Sequence, residues 1–534
     1  MASVNGGELL VKALESEGPQ KIFSIPGGQL VGVYESIRKS RTLELVVPRQ
    51  EGAGALMACG YALAREKPAV MISTAGAGVI YEIDGLTYAW RNRIPLISIA
   101  PQVQSWRIKP IQDNLQAVNQ DEFYEGITKF HCILYHPYRI PQLVRRAYRM
   151  ATAAEPGPVH LDLPVDIAFQ KTRVKSLKAG EIMPEPEKTR FIGKALPDPE
   201  EVKKAAGLIS GCKRPVALVG GLMARLSAAQ ALEKFLAEFK IPALNSDAAF
   251  SAPSKKSALC AGTAELFQDR QSLELLRSAD LFLYFEPDEQ IASLARKLAP
   301  DPGRPAIQFS SYAPMLHSVA PIFVALTGSP EAALEQLAKG IKFKMDEERE
   351  KWLARLKGNR DQSLALEKNL LPEHRVRALE KAFESVSRNL SEKDFVVCEG
   401  RDITLAAKLF LQNYGPARAI LIPDTAPSGA GFPLALGIKA AAKDAKVFLV
   451  SDRKNFKKHC REFQTASRYK FGICSLVFPD QDELAPTEPN LARLSESLGV
   501  RGVAVQEPVE EINEVMLGRG FELESGMLLE IRGF

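Results

Sequence analysis

Lys21-Ile22-Phe23-Ser24-Ile25-Pro26-Gly27-Gly28 joins a short, mostly apolar run to a Pro-Gly-Gly break. A run of this length bounded by turn residues reads as a buried strand, and such a Gly-rich break at a strand end is where an open parallel sheet binds ligands. Working outward, further strands are expected over 43–47, 69–73, 95–100 and 159–163, with helices beginning near Glu51 and near Gly85. A second break, Ala75-Gly76-Ala77-Gly78, follows the third of these strands. Short strands alternating with longer helical patterns indicate a parallel α/β unit.

The pattern restarts twice. After a Pro- and Lys-rich stretch over 171–199, the run over 215–219 ends on Gly220-Gly221, an amphipathic helix follows over 227–239, and a strand over 281–285. A charged helix over 345–368 leads to a third unit with strands over 394–398, 419–422, 447–450 and 473–478, where the Gly-rich 428–437 segment opens a helix. The fold expected is α/β, with three doubly wound parallel-sheet domains. The boundaries are 1–170, a linker over 171–195, a central domain over 196–345, a charged helical linker over 346–378, and 379–534.

A chain of 534 residues is too long for one hydrophobic core and suits about three domains. With 46% hydrophobic and 25% charged residues it has the composition of an ordinary globular protein. The net charge of +5 is small and the charges are interleaved, which argues against nucleic acid and favours small anionic substrates. The amino terminus lacks a basic segment followed by an apolar run, and no stretch reaches the ~18 apolar residues of a membrane span, so a cytoplasmic location is expected. The seven scattered cysteines read as reduced thiols, and none lies at zinc-ligand spacing beyond isolated pairs such as His459 and Cys460; no metal site is expected.

Several separated strings carry a resemblance, in order and in spacing. They are Pro26-Gly27-Gly28; Arg49-Gln50-Glu51-Gly52-Ala53 running into Cys59-Gly60-Tyr61-Ala62; Thr74-Ala75-Gly76-Ala77-Gly78; Ile94-Pro95-Leu96-Ile97; Leu115-Gln116 followed by Thr128-Lys129; and the ten residues from Gly157 to Asp166. Together they resemble the acetolactate synthase class of the thiamine diphosphate (thiamine pyrophosphate) enzyme superfamily. The likeness is strong over the first ~170 residues, rests on the strand–Gly–Gly–helix pattern in the middle, and on layout in the last ~150. It implies the three-domain fold of pyruvate oxidase and pyruvate decarboxylase, with a pyrimidine-type domain first and a diphosphate-type domain last. It also implies an active site built between the first domain of one subunit and the last domain of another, hence a homodimer or homotetramer.

Within that resemblance Glu51 holds the position of the glutamate that hydrogen-bonds the aminopyrimidine of the cofactor, where a carboxylate drives the tautomer that activates the thiazolium. Gln116 and Lys129 join it as candidate catalytic groups. Gly27, Gly28, Gly76, Gly78, Ser428, Arg453, Lys454 and Asp480 are positional equivalents of cofactor-binding residues. The last domain departs from the family. Where the family has Gly-Asp-Gly for magnesium, this chain has Asp452-Arg453-Lys454, and Asp480 falls on the later asparagine. Arginine cannot ligate magnesium and would repel it. Ser428 replaces a bulky residue, Ala77 a proline, Gln50 a common histidine, and Asp288 falls near an arginine used around flavin and substrate.

No cofactor is therefore expected on the isolated chain, thiamine diphosphate with magnesium remaining the family cofactor and the alternative. One reading is an enzyme working without the cofactor on a small carboxylate, phosphate or coenzyme A ester by C–C cleavage or formation or by hydrolysis, with Arg453 or Lys454 as an anion clamp. A second is a subunit that gives Glu51 to a site completed by an intact paralogous subunit. A third is a structural or regulatory homologue, and a fourth has Arg453 and Lys454 neutralising the diphosphate directly. Arg453 and Asp480 are expected to meet as an ion pair in place of the metal.

Overall fold

The protein, seen in a computed structural model, is described over residues 2–18, 21–109, 116–153, 155–174, 183, 186, 195–254, 257, 259–298, 303–369, 371–423, 426–480 and 489–532. Three six-stranded sheets, all of their strands parallel, carry the chain. The first runs in spatial order Glu44–Val46, Lys21–Ser24, Ala69–Ile72, Leu96–Gln102, Val159–Pro164, His131–Ile133. The third repeats that order with Ala419–Ile422, Phe395–Glu399, Val447–Asp452, Cys474–Phe478, Met527–Ile531 and Arg501–Val505. In both, the second strand lies outside the first and the sixth inside the fifth. The middle sheet is ordered differently: Cys260–Thr263, Ala243–Asn245, Pro215–Val219, Leu281–Phe285, Ala306–Ser310, Val324–Thr327.

Each first strand feeds neighbours on both its sides, so each sheet has a crevice at the carboxyl end of that strand, where open α/β sheets take their ligands. Most of the strands are buried along their whole length, as parallel strands covered by helices must be. Lys171–Val174, inside the stretch read as a linker, pairs antiparallel with Ala2–Asn5. The charged helix runs over Glu347–Lys368 and anchors the central unit through Trp352, fully buried, whose indole N–H donates to the Pro215 carbonyl at 2.7 Å.

The two outer units share one hydrophobic core. Helix Glu51–Arg65 follows the second strand of the first sheet; helix Gly431–Ala441 follows the second strand of the third; these topologically equivalent helices pack on each other. Their backbones touch. A Cβ on Gly60 would lie 2.0 Å from the Leu434 carbonyl oxygen, and one on Gly437 would lie 1.9 Å from that of Met57, so no other residue fits either place without parting the helices. The loop before the first helix is pinned to the third unit, the Val47 N–H donating to the Tyr469 hydroxyl and the Arg49 N–H to Glu462, each at 2.8 Å. None of the seven cysteines is in a disulfide, and among the described residues no helix is long and apolar enough to cross a membrane.

Candidate functional site

In the first unit, the turns after the first and third strands meet the start of helix Glu51–Arg65. Gln50 caps this helix, its side-chain oxygen accepting the Ala53 N–H at 3.1 Å. Glu51, nearly buried, accepts a hydrogen bond from the Thr74 hydroxyl at 3.1 Å. Gly27 abuts the Thr74 side chain, and Gly28 opens the short turn Gly28–Leu30. A Cβ on Gly78 would stand 3.1 Å from the Glu51 carboxylate and 2.1 Å from the Thr74 hydroxyl. Gly76, at φ +72°, lies against Gln116, whose amide oxygen accepts from Gln29 at 2.7 Å. Thus Glu51, Gln116, Gly27, Gly28, Gly76 and Gly78 come together as the sequence suggests; Leu115 lies outside the described residues.

Lys129 does not join them. Its ammonium donates to the Met150 and Ala153 carbonyls, at 2.7 and 2.8 Å, closing the last turn of helix Ile140–Thr152, and burial holds its pKa below the ordinary lysine value. The carbonyls at a helix end need such a donor, and Lys129 is spent on them.

In the third unit, strands Phe395–Glu399 and Val447–Asp452 end side by side on two carboxylates. Glu399, 2% exposed, accepts the N–H groups of Gly429 and Gly431, at 2.8 and 3.1 Å, at the start of helix Gly431–Ala441. Burial pushes its pKa up to about 7, with the nearby Asp452 carboxylate adding to the rise and the backbone hydrogen bonds opposing it. Asp452 accepts the Asn455 N–H at 2.8 Å and its amide at 3.0 Å, and Asn455 in turn accepts from the Ser428 hydroxyl. These groups line a crevice of about 490 Å³ that also receives Asp480, Arg401 and Lys454.

Arg453 is not in that crevice. Only 3% exposed, it pairs with Glu530 of strand Met527–Ile531 and donates to the Pro489 carbonyl. Glu530, wholly buried, also accepts the Leu491 and Ala492 N–H groups, at 3.2 and 3.0 Å, and a bond from Arg532 at 3.1 Å. The expected Arg453–Asp480 pair is therefore replaced by Arg453–Glu530, and Asp480 instead accepts the Lys454 N–H at 3.0 Å. A guanidinium placed in the interior needs a buried carboxylate, which Glu530 supplies from the next strand but one. An anion clamp by Arg453 is excluded for the same reason, while the Lys454 side chain stays exposed beside the crevice.

A larger cavity of about 1240 Å³ is bounded by all three units, among them Trp90, Arg93, Gln290, Arg401 and Lys408; Arg401 reaches both spaces. Lys408, 4% exposed, bridges the third unit to Asp247 of the central one at 2.9 Å. Asp288 caps helix Glu289–Lys297 and accepts the Gly221 N–H at 2.9 Å, so a carboxylate of the chain itself occupies the Gly-Gly turn of the central crevice.

Two residues of consequence, Glu399 and Glu530, went unread from sequence. The first stands between the apolar run 395–398 and Gly400, a signal for a side chain at a strand's carboxyl end; the second breaks the apolar run 527–531, the mark of an acid with a buried partner.

Residues 4–123 match the family described as thiamine pyrophosphate enzyme, N-terminal TPP binding domain, and residues 202–337 the thiamine pyrophosphate enzyme central domain. Among curated proteins, the chain is 25% identical over 539 residues to a probable acetolactate synthase large subunit of Methanocaldococcus jannaschii, covering 96% of this chain and 89% of that one. The acetolactate synthase large subunit of Haemophilus influenzae is 23% identical over 541 residues, 96% and 91% of the two chains. A chloroplastic acetolactate synthase 3 of Brassica napus is 33% identical over 240 residues, 44% of this chain and 35% of that one.

Proposed function

Because the chain belongs to the thiamine pyrophosphate enzyme superfamily and resembles acetolactate synthase large subunits, we propose that it is an enzyme of lyase or transferase type that acts on a small anionic substrate without conventionally bound magnesium and thiamine diphosphate. The substrate is a carboxylate, phosphate or coenzyme A ester, and the reaction is C–C cleavage or formation, or hydrolysis. The observation that carries the reading is the contrast between the two halves of the inherited cleft. Glu51 keeps its place on Thr74 beside Gly78, whereas the diphosphate half is rebuilt.

Three features speak against a fit of the magnesium diphosphate group in that half. Arg453 stands where the metal-binding aspartate is expected and is committed to Glu530. Glu399 already occupies two backbone N–H groups at the start of helix Gly431–Ala441. Ser428, in place of a bulky prop, is tied to Asn455. In the proposed site the Glu51 carboxylate accepts a proton from the substrate, Gln116 orients a polar group, and Arg401 and Lys454 offset the substrate's charge. Two copies pair so that Glu51 of one faces the crevice of the other, covering the exposed Ile80 and Tyr81 of the short helix Ala77–Tyr81, which lies against the start of the Glu51 helix. The protein works in the cytoplasm.

Mass spectrometry of the denatured pure protein, with melting curves in thiamine diphosphate and magnesium, tests the reading. Stoichiometric cofactor, or a rise in melting temperature that saturates with it, refutes the proposal.

The same contrast favours a second reading, in which this chain lends Glu51 to a site whose metal half comes from an intact paralogous subunit. Co-purification with such a subunit, and thiamine-dependent turnover of the mixture that Glu51→Gln abolishes, would establish it.

A further inference from the structure

We propose that Glu399 is a resident anion: its carboxylate fills the backbone N–H groups at the start of helix Gly431–Ala441 that would otherwise receive a phosphate group, and its removal opens the crevice to diphosphate. The inference rests on the reading that the third unit does not bind magnesium diphosphate in the conventional way, and supplies a physical cause for it.

A helix start offers unpaired N–H groups and the positive end of a dipole, and it holds phosphate or carboxylate equally well. Here the helix spans eleven residues and begins at a crevice of about 490 Å³, on the side of the sheet where ligands bind. Glu399 sets one oxygen on Gly429 N–H and the other on Gly431 N–H. The fit is close: a Cβ on Gly431 would lie 2.7 Å from the second oxygen. The carboxylate thus meets the same donors that an incoming phosphate oxygen needs, and an external anion would in addition face the charge of Asp452 at the next strand end. Shortening Glu399 removes the first obstacle and leaves the donors aimed into open space, while Asp452 stays bonded to Asn455. Arg401 and Lys454, on the crevice wall, then balance the ligand.

The full-length protein is titrated at pH 8, where the Glu399 carboxyl is ionised, with inorganic pyrophosphate, without metal, by calorimetry and by thermal melting. Wild type is expected to show no saturable binding, and Glu399→Ala to gain it, tighter by about tenfold or more. Adding Gly431→Ala, whose Cβ would stand 2.7 Å from the place the second carboxylate oxygen vacates and so crowd an incoming phosphate oxygen, is expected to abolish the gain. Should Glu399→Ala not fold, Glu399→Ser, which also withdraws the side chain from the donors, takes its place with the same expectations. If wild type shows no binding and the Glu399 variant none either, or if the gain survives Gly431→Ala, the resident-anion inference is wrong while the functional reading stands. If wild type itself is stabilised by thiamine diphosphate with magnesium, the functional reading has failed, and this inference with it.

Discussion

Glu530→Gln is the perturbation that best probes the third unit. The change keeps the side-chain volume but removes the charge opposite Arg453, and both side chains are almost wholly shielded from water. Breaking a buried pair from one side strands the other charge, which costs about 3–5 kcal/mol. The amide also keeps only one acceptor for the four donors that converge there from Leu491, Ala492, Arg453 and Arg532. Arg453→Met should be milder, about 1–2 kcal/mol, because Glu530 retains two backbone N–H groups and Arg532. The double variant should lose less than the sum of the two, with a coupling of about 2 kcal/mol or more. Urea unfolding, with hydrogen exchange read on the peptide containing Met527–Ile531, measures all three. Burial pushes the Glu530 carboxyl up, but the bonds from Ala492, Arg453 and Leu491 outweigh it and leave its pKa below the ordinary value. A depressed carboxyl contributes stability that is complete above the unfolded pKa and is lost as pH falls through the folded one. The loss in Glu530→Gln should therefore shrink in acid. Additive losses, or an Arg453→Met as damaging as Glu530→Gln, would refute the reasoning.

Other outcomes follow from the same geometry. Asp480→Ala, which removes only an acceptor for the Lys454 N–H, should change stability by about 1 kcal/mol or less in the same urea assay, where a loss of several would restore Asp480 as a buried counter-charge. Gly437→Ala places a methyl against the Met57 carbonyl and should cost about 2 kcal/mol or more, seen as a lowered melting temperature. Glu399 and Glu462 both have pKa values raised by burial to about 7, and for an acid with a raised folded pKa the sign is opposite to that of Glu530. Stability is fully present below the unfolded pKa and declines as pH rises through about 7. Melting temperatures should thus fall between about pH 4.5 and pH 7 and level off above, and Glu399→Gln should flatten that fall; an unchanged slope counts against the assignment.

The parts of the fold that declare themselves in sequence are the ones with uninterrupted burial. Runs such as Ala69–Ile72 and the first four residues of Val447–Asp452 are covered on both faces, so they read as solid apolar blocks that give way to polar residues, Ser73-Thr74 and Ser451-Asp452. His131–Ile133 is a half-exposed strand at the edge of its sheet, and Arg501–Val505 has only its last residue buried, so neither carries an apolar block. The grouping of Glu51 with Thr74 and Gly78 is legible because each stands in a recognisable string at a strand or helix end. The partner of Arg453 is not, since Glu530 is brought to it only by the insertion of Met527–Ile531 beside Cys474–Phe478 in the sheet. Lys129 misleads for a related reason: its string fixes its place along the chain but not which carbonyls its ammonium will reach.

The contact between helices Glu51–Arg65 and Gly431–Ala441 also sets an order of events at the ribosome. The first of these helices is buried along nearly its whole length, one face on its own unit and the other under the second helix. Roughly 370 residues separate them, and at about 5–20 residues per second the early helix waits some 20–70 s for its cover. Through that interval its small, apolar face is open to other nascent chains. Residues 1–170 made alone should accordingly be prone to aggregate or to need a chaperone, whereas the central unit, with core clusters of its own, can close without waiting.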